Sequence, residues 1–158
     1  MSTVDLLARY ALRPMEEAHF DEVVAIERVS YTNPWVVDAF RHEVEQNAFS
    51  RPRVAMTVEQ PHTVVGYCVP WLVFDEVHIQ NLAVHPRHRG CGLARHLLRR
   101  ALEDGLDAGA HSAQLEVRAS NAMALKLYAS LGFRVAGERR GYYSRPREDA
   151  VLLHKELR

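Results

Sequence analysis

The chain has 158 residues, 47% of them apolar and 25% charged, the proportions of one soluble domain, residues 1–158, that buries its own core. Lysine plus arginine equals aspartate plus glutamate at 20 each, leaving no net positive field for nucleic acid, and no direct nucleic-acid partner is expected. Cys68 and Cys91 lack C-x-x-C spacing, residues 1–12 lack a signal-peptide apolar run, and the apolar stretch 64–74 is broken by Gly66 and Pro70; no disulfide framework, export or membrane span is expected, and a reducing cytoplasm fits.

In chain order, a short strand is expected near residues 10–13, then a helix over 15–29 with Phe20, Val23, Val24 and Ile26 on its apolar side. Asn33 offers a cap and Pro34 suits the first helical position, so a second helix is expected from there to about Gln46. Residues 53–58 and 63–74 are β-branched and aromatic around a Gln60-Pro61-His62 turn, which predicts a hairpin, and 77–84 predicts a further central strand. A basic, glycine-containing loop over 85–92 leads into a helix whose apolar stripe is Leu93, Ala94, Leu97, Leu98, Ala101 and Leu102. In 113–117, Ala113, Leu115 and Val117 alternate with Gln114 and Glu116, predicting a half-buried strand with Glu116 opposite Leu115. Ser120 or Asn121 then caps a helix with Ala124, Leu127, Tyr128 and Leu131 on one stripe and Gly132 at its end. Two strands, 133–138 and 150–154, close the fold around 139–148.

Arg89-Gly90-Cys91-Gly92-Leu93-Ala94 lies between a strand and a helix, where main-chain N–H groups converge on an anion held by the helix N-terminus. A Walker loop ends in Gly-Lys-Ser/Thr, and a dinucleotide fingerprint puts glycine where Arg95 stands. Neither pattern is met. Glycines here equally suit a plain tight turn.

The loop matches the Arg/Gln-x-x-Gly-x-Gly/Ala pattern of the GNAT acetyltransferases at Arg89, Gly92 and Ala94, so the chain resembles that family. The likeness extends over Asn81-Leu82-Ala83-Val84, over Leu115-Glu116-Val117-Arg118-Ala119-Ser120-Asn121, and over Leu127-Tyr128-Ala129-Ser130-Leu131-Gly132-Phe133. With Arg139-Arg140-Gly141-Tyr142-Tyr143 and Arg147-Glu148-Asp149-Ala150 it is similar to the RimI-like branch, whose members acetylate the N-terminal alanine of a ribosomal protein. Earlier in the chain only Asn33-Pro34-Trp35 is similar to that branch.

The resemblance implies an α/β (α+β) fold: a mixed, mostly antiparallel sheet of six to seven strands flanked by four helices, with two central strands splayed. The pantetheine arm of acetyl-coenzyme A would lie in the gap on the backbone of Leu82, Ala83 and Val84. Arg89, Gly90, Cys91, Gly92, Leu93, Ala94 and Arg95 would hold the pyrophosphate, and Asn121 would contact the coenzyme, cap its helix, or both. The chemistry is attack of an amine on a thioester, with Glu116 at the family's base position and Tyr128 at its acid. Trp35 and Tyr142 are the candidate walls of the acceptor groove.

No H-E-x-x-H or Cys/His cluster points to a metal, although His85 and His88 lie in the loop. No Cys-His arrangement makes Cys91 a nucleophile. Arg87-His88-Arg89 and Arg139-Arg140 are solvated charge by default, the first also placed for the adenosine phosphates. A chain-terminal amine titrates near ~8 and lysine near ~10.4, so baring a lysine costs roughly 3 kcal/mol more at neutral pH. That favours a protein N-terminus, and the resemblance makes it the alanine of the eighteenth small-subunit ribosomal protein; the sequence leaves the oligomeric state open, with a monomer favoured. The competing readings are transfer to a small amine or a protein lysine, and a catalytically silent acetyl-coenzyme A-binding module.

Overall fold

The computed structural model describes residues 2–158. Seven strands form one sheet in the order β1-β2-β3-β4-β5-β7-β6. These are β1 (Tyr10–Pro14), β2 (Arg53–Thr57), β3 (Val64–Val73), β4 (Glu76–Val84), β5 (Ser112–Arg118), β6 (Arg134–Tyr143) and β7 (Glu148–Glu156). Every pairing is antiparallel except β4 with β5.

The helices are α1 (Thr3–Arg9), α2 (Phe20–Ser30), α3 (Val37–Glu45), α4 (Leu93–Asp107) and α5 (Ala122–Ser130), five where four were expected. The additional one, α1, starts on a reciprocal cap: Ser2 Oγ accepts from the Asp5 N–H at 3.2 Å while the Asp5 carboxylate accepts from Ser2. The helix expected over 15–29 begins later. Met15 is buried, and its N–H donates to Pro52 O at 3.0 Å, so the chain stays extended there; a 3-10 turn, Glu17–His19, then leads into α2. The helix expected from Pro34 starts only at Val37, because the Trp35 N–H is tied to Glu27 and Asn33 Nδ2 donates to Ser144 O at 2.5 Å. Asn33 therefore caps nothing. The closing hairpin is longer than expected, with strands running on to Tyr143 and back from Glu148.

β3 is buried on both faces, and its residues divide between two cores. Val64, Tyr67 and Val69 join Phe20, Val23, Ile26 and Phe40 beneath α2 and α3, whereas Val65 and Cys68 join Leu93, Leu97, Leu98 and Leu115 beneath α4. Close packing on the α4 side depends on Gly105, where an added Cβ would stand 2.2 Å from Val77 Cγ2.

β4 and β5 pair only from Glu76↔Ser112 to Ile79↔Leu115, although both strands continue. Beyond this point they part. A bulge helps β4 turn away: Val69 pairs with Asn81 but Pro70 with Ile79, which leaves Gln80 as the extra residue.

Candidate functional site

The gap between the parted strands opens into a cleft of about 830 Å³, bounded by the end of β4, the loop before α4, the end of β5, the start of α5 and residues 30–35. Each boundary follows from local chemistry. The loop after β4 makes a 3-10 turn, Pro86–His88, capped by His85, and is fastened to β1 where Tyr10 Oη lies 2.8 Å from His88 Nδ1. Gly90 and Gly92 then take φ of 79° and 90°, values that only glycine adopts without strain. Gly92 is the N-cap of α4 and supplies no side-chain acceptor, and no acidic residue occupies the first turn, so the helix begins with unsatisfied N–H groups. That geometry and sign suit an anion.

The residues expected at the coenzyme divide by what their side chains do. Gly90, Gly92, Ala94 and Arg95 line the cleft. Leu93 is buried in the core, leaving its main chain to serve the loop. Cys91 donates its thiol to His88 O at 3.1 Å and is outside the cleft lining. Arg89 acts within the framework: Nε donates to Val84 O at 2.8 Å and Nη2 to Ser30 Oγ at 3.2 Å. Leu82 is held by side chains too, its N–H donating to Asn81 Oδ1 at 2.9 Å and its carbonyl accepting the Tyr31 hydroxyl. Asn121 lines the cleft and caps α5, accepting from the Ala124 N–H at 3.1 Å.

Glu116 faces the cleft because its neighbours Leu115 and Val117, 3% and 6% exposed, fill the α4-side core. Tyr128 is buried against Phe133, ring centroids 5.7 Å apart, and lines the same cleft. No hydrogen-bond partner among the described residues takes its hydroxyl. Burial raises its pKa, with Tyr31, Cys68 and Tyr143 adding to the shift, so it is a neutral donor at physiological pH.

Tyr31 and Tyr143 join Tyr128 around the cleft and were not singled out from the sequence. Burial raises the Tyr31 pKa, with Glu27 adding to it, and pushes Tyr143 up to about 12, with Tyr142 and Glu116 adding there. Tyr143 rather than Tyr142 lines the cleft. Tyr142 stands at the rim, half exposed, with the Arg139 guanidinium 5.5 Å from its ring centre, where the register of β6 against β7 is irregular. Trp35 lines the cleft, its ring centre 5.2 Å from that of Phe40. Arg118 sits 4.5 Å from the Tyr143 ring centre and holds the β6–β7 turn, donating to Ser144 O and Pro146 O, each at 3.0 Å. No period-two signal in residues 139–143 separates Tyr142 from Tyr143, because the register shifts between Arg139 and Tyr143 and Gly141 takes a φ of 60°.

Among the described residues no group of three His, Cys, Asp or Glu side chains converges as a metal site, and no helix is long and apolar enough to cross a membrane. Both cysteines are free thiols, and burial pushes Cys68 up to about 12.

A parted parallel strand pair beside a glycine loop at a helix start is the arrangement that the sequence likeness implied, and the model of the acetyltransferase (GNAT) family matches residues 20–133. The chain belongs to the GNAT acetyltransferase family. Among GNAT relatives it is 36% identical to the putative ribosomal protein bS18-alanine N-acetyltransferase of Bacillus subtilis, over 90% of this chain and 93% of the relative. The crystal structure of the ribosomal-protein-S18-alanine N-acetyltransferase of Escherichia coli superposes with a TM-score of 0.83 at 30% identity, covering 94% of each chain. Arabidopsis thaliana NAA60, solved with acetyl-CoA, shares the GNAT fold at a TM-score of 0.83 and 18% identity, over 93% of this chain and 98% of that one.

Proposed function

We propose that this GNAT enzyme transfers the acetyl group of acetyl-coenzyme A to the N-terminal alanine of ribosomal protein bS18, in the cytoplasm and without a metal. The observation that carries the reading is that Glu116 and Tyr128 face one cleft, directly beside the glycine loop at the start of α4. Identity of 36% to a relative named for that activity supports the acceptor.

The donors fit the coenzyme. Unsatisfied N–H groups at the α4 start, together with Arg95, complement a pyrophosphate, and the thioester end then lies toward Glu116 and Tyr128. The acceptor amine enters from the Trp35 and Tyr143 side. Glu116 takes its proton directly or through water, the bared nitrogen attacks the thioester carbonyl, and the tetrahedral intermediate collapses as the Tyr128 hydroxyl protonates the departing thiolate. A terminal amine, with its pKa near ~8, needs only this modest base at neutral pH.

The test is mass spectrometry of a peptide panel after incubation with enzyme and acetyl-coenzyme A. The expected product is α-acetylation of the peptide carrying the bS18 N-terminus, with its lysines unmodified. Acetylation confined to lysine side chains or to an added polyamine would overturn the acceptor assignment.

A further inference from the structure

Glu27 is 1% exposed, yet it lines the cleft and accepts hydrogen bonds from three elements. Oε1 accepts from the Tyr67 hydroxyl on β3 and from Asn81 Nδ2 on β4 at 2.8 Å; Oε2 accepts from the Trp35 N–H at 3.0 Å. Asn81 relays one of these contacts. Its Oδ1 accepts from the Leu82 N–H in the part of β4 that has left β5. We propose that Glu27 is a positioning residue that fixes both substrate walls at once, the freed half of β4 through Oε1 and Asn81, and the acceptor loop through Oε2 and the Trp35 N–H.

A buried carboxylate is costly unless its lone pairs are filled, and the groups filling them here belong to chain segments that approach the cleft from different sides. The two oxygens therefore have separable duties. In Glu27→Gln one oxygen remains. Directed at Tyr67 and Asn81 it keeps two donors satisfied, and the new NH2 then opposes the Trp35 N–H, donor against donor. The opposite orientation forces Asn81 to turn over and lose Leu82. The first arrangement is the less costly, so the glutamine variant releases the acceptor loop and spares β4. Asn81→Ala does the reverse.

The acceptor half of this assignment rests on the proposed acetyl transfer, so the experiment reads each wall both with and without catalysis. Amide hydrogen exchange and acetyl-coenzyme A calorimetry are measured on wild type, Glu27→Gln, Asn81→Ala and Tyr67→Phe, with acceptor KM from initial rates. Losing one buried partner corresponds to ~10-fold or more. Glu27→Gln is expected to speed exchange at the Trp35 amide and raise acceptor KM by that factor, with acetyl-coenzyme A affinity within about twofold. Asn81→Ala is expected to speed exchange at the Leu82 amide and weaken acetyl-coenzyme A, with Trp35 still protected. Tyr67→Phe removes the remaining donor and is expected to lower the melting temperature without singling out either amide. If Trp35 and Leu82 loosen together in both variants, in step with melting temperature as in Tyr67→Phe, or if neither loosens, the positioning role is overturned. If the exchange pattern holds but no peptide is acetylated, the assignment of the two walls stands and the proposed acceptor falls.

Discussion

Glu116 reaches the cleft by a two-residue period. Ala113, Leu115 and Val117 are committed to the α4-side core, so the side chains between them face the other way. Replacing Glu116 with Gln keeps the size and removes the basicity. The expected result is a loss of ~10²-fold at neutral pH that shrinks above pH ~8, where a terminal amine loses its proton unaided. Initial rates against pH, with melting as a control, check this; a loss that stays constant with pH would remove Glu116 as the base. Tyr128 makes the complementary case. Its raised pKa keeps the hydroxyl protonated through neutral pH and past the usual tyrosine value near ~10, so the acid stays loaded while the amine deprotonates. The wild-type rate should therefore climb with pH and show no alkaline fall up to about pH 9.5. Tyr128→Phe should lower the rate by ~10²-fold at every pH in that range, with coenzyme affinity retained. An unchanged rate would leave Tyr128 a core residue only.

The site is made where elements end. The start of α4 offers main-chain N–H groups suited to an anion, and Gly92 is the residue that sets their direction, with φ at 90°. A Cβ there meets nothing closer than Leu6 Cδ1 at 3.8 Å, so Gly92→Ala and Gly92→Glu share the backbone strain and differ in the charge brought to the loop. Glu is expected to weaken acetyl-coenzyme A ~10-fold or more beyond Ala, measured by calorimetry, since a carboxylate opposes the pyrophosphate. Equal affinities would move the pyrophosphate elsewhere. This loop was legible in the sequence because its glycines and its helix stripe are local. The β5 alternation and the Asn121 cap were legible for the same reason. What escaped the sequence was of two kinds. The α1 cap is a Ser2-x-x-Asp5 box with Asp where the usual box has Glu or Gln, a weaker sequence signal, and Pro34 resembles a helix start because only the fold ties the Trp35 N–H to Glu27 eight residues back. Glu27 itself was illegible as a site residue, since Tyr67 and Asn81 lie 40 and 54 positions away, and only the fold brings them to one carboxylate.

At the scale of the whole molecule, the parting of β4 and β5 divides the sheet into one half carrying α2 and α3 and another joined through β5, β7 and β6. The halves share strand pairing only from Glu76↔Ser112 to Ile79↔Leu115 on this seam, and backbone groups beyond it need partners from outside the ladder. On the β4 side the protein supplies some of them from the end of α2 and the adjoining loop: Tyr31 to the Leu82 carbonyl and Ser30 to Arg89, which in turn bonds Val84 O. A coenzyme lying in the gap touches both halves and binds only the folded chain, so it stabilises the whole molecule by mass action. At acetyl-coenzyme A 100-fold above its Kd this amounts to about 2.7 kcal/mol, which for a chain of this size raises the melting temperature by roughly 5–10 °C. The gain should be distributed in a particular way. Amide protection is expected to rise along residues 80–84 and 116–118 and at the start of α4, and to change least along β1 and β2, which pair only with each other and with β3. Thermal melting and hydrogen exchange with and without acetyl-coenzyme A check both parts. A melting shift accompanied by protection confined to β1 and β2, or no shift at saturating coenzyme, would show that the gap between β4 and β5 is not where the coenzyme binds.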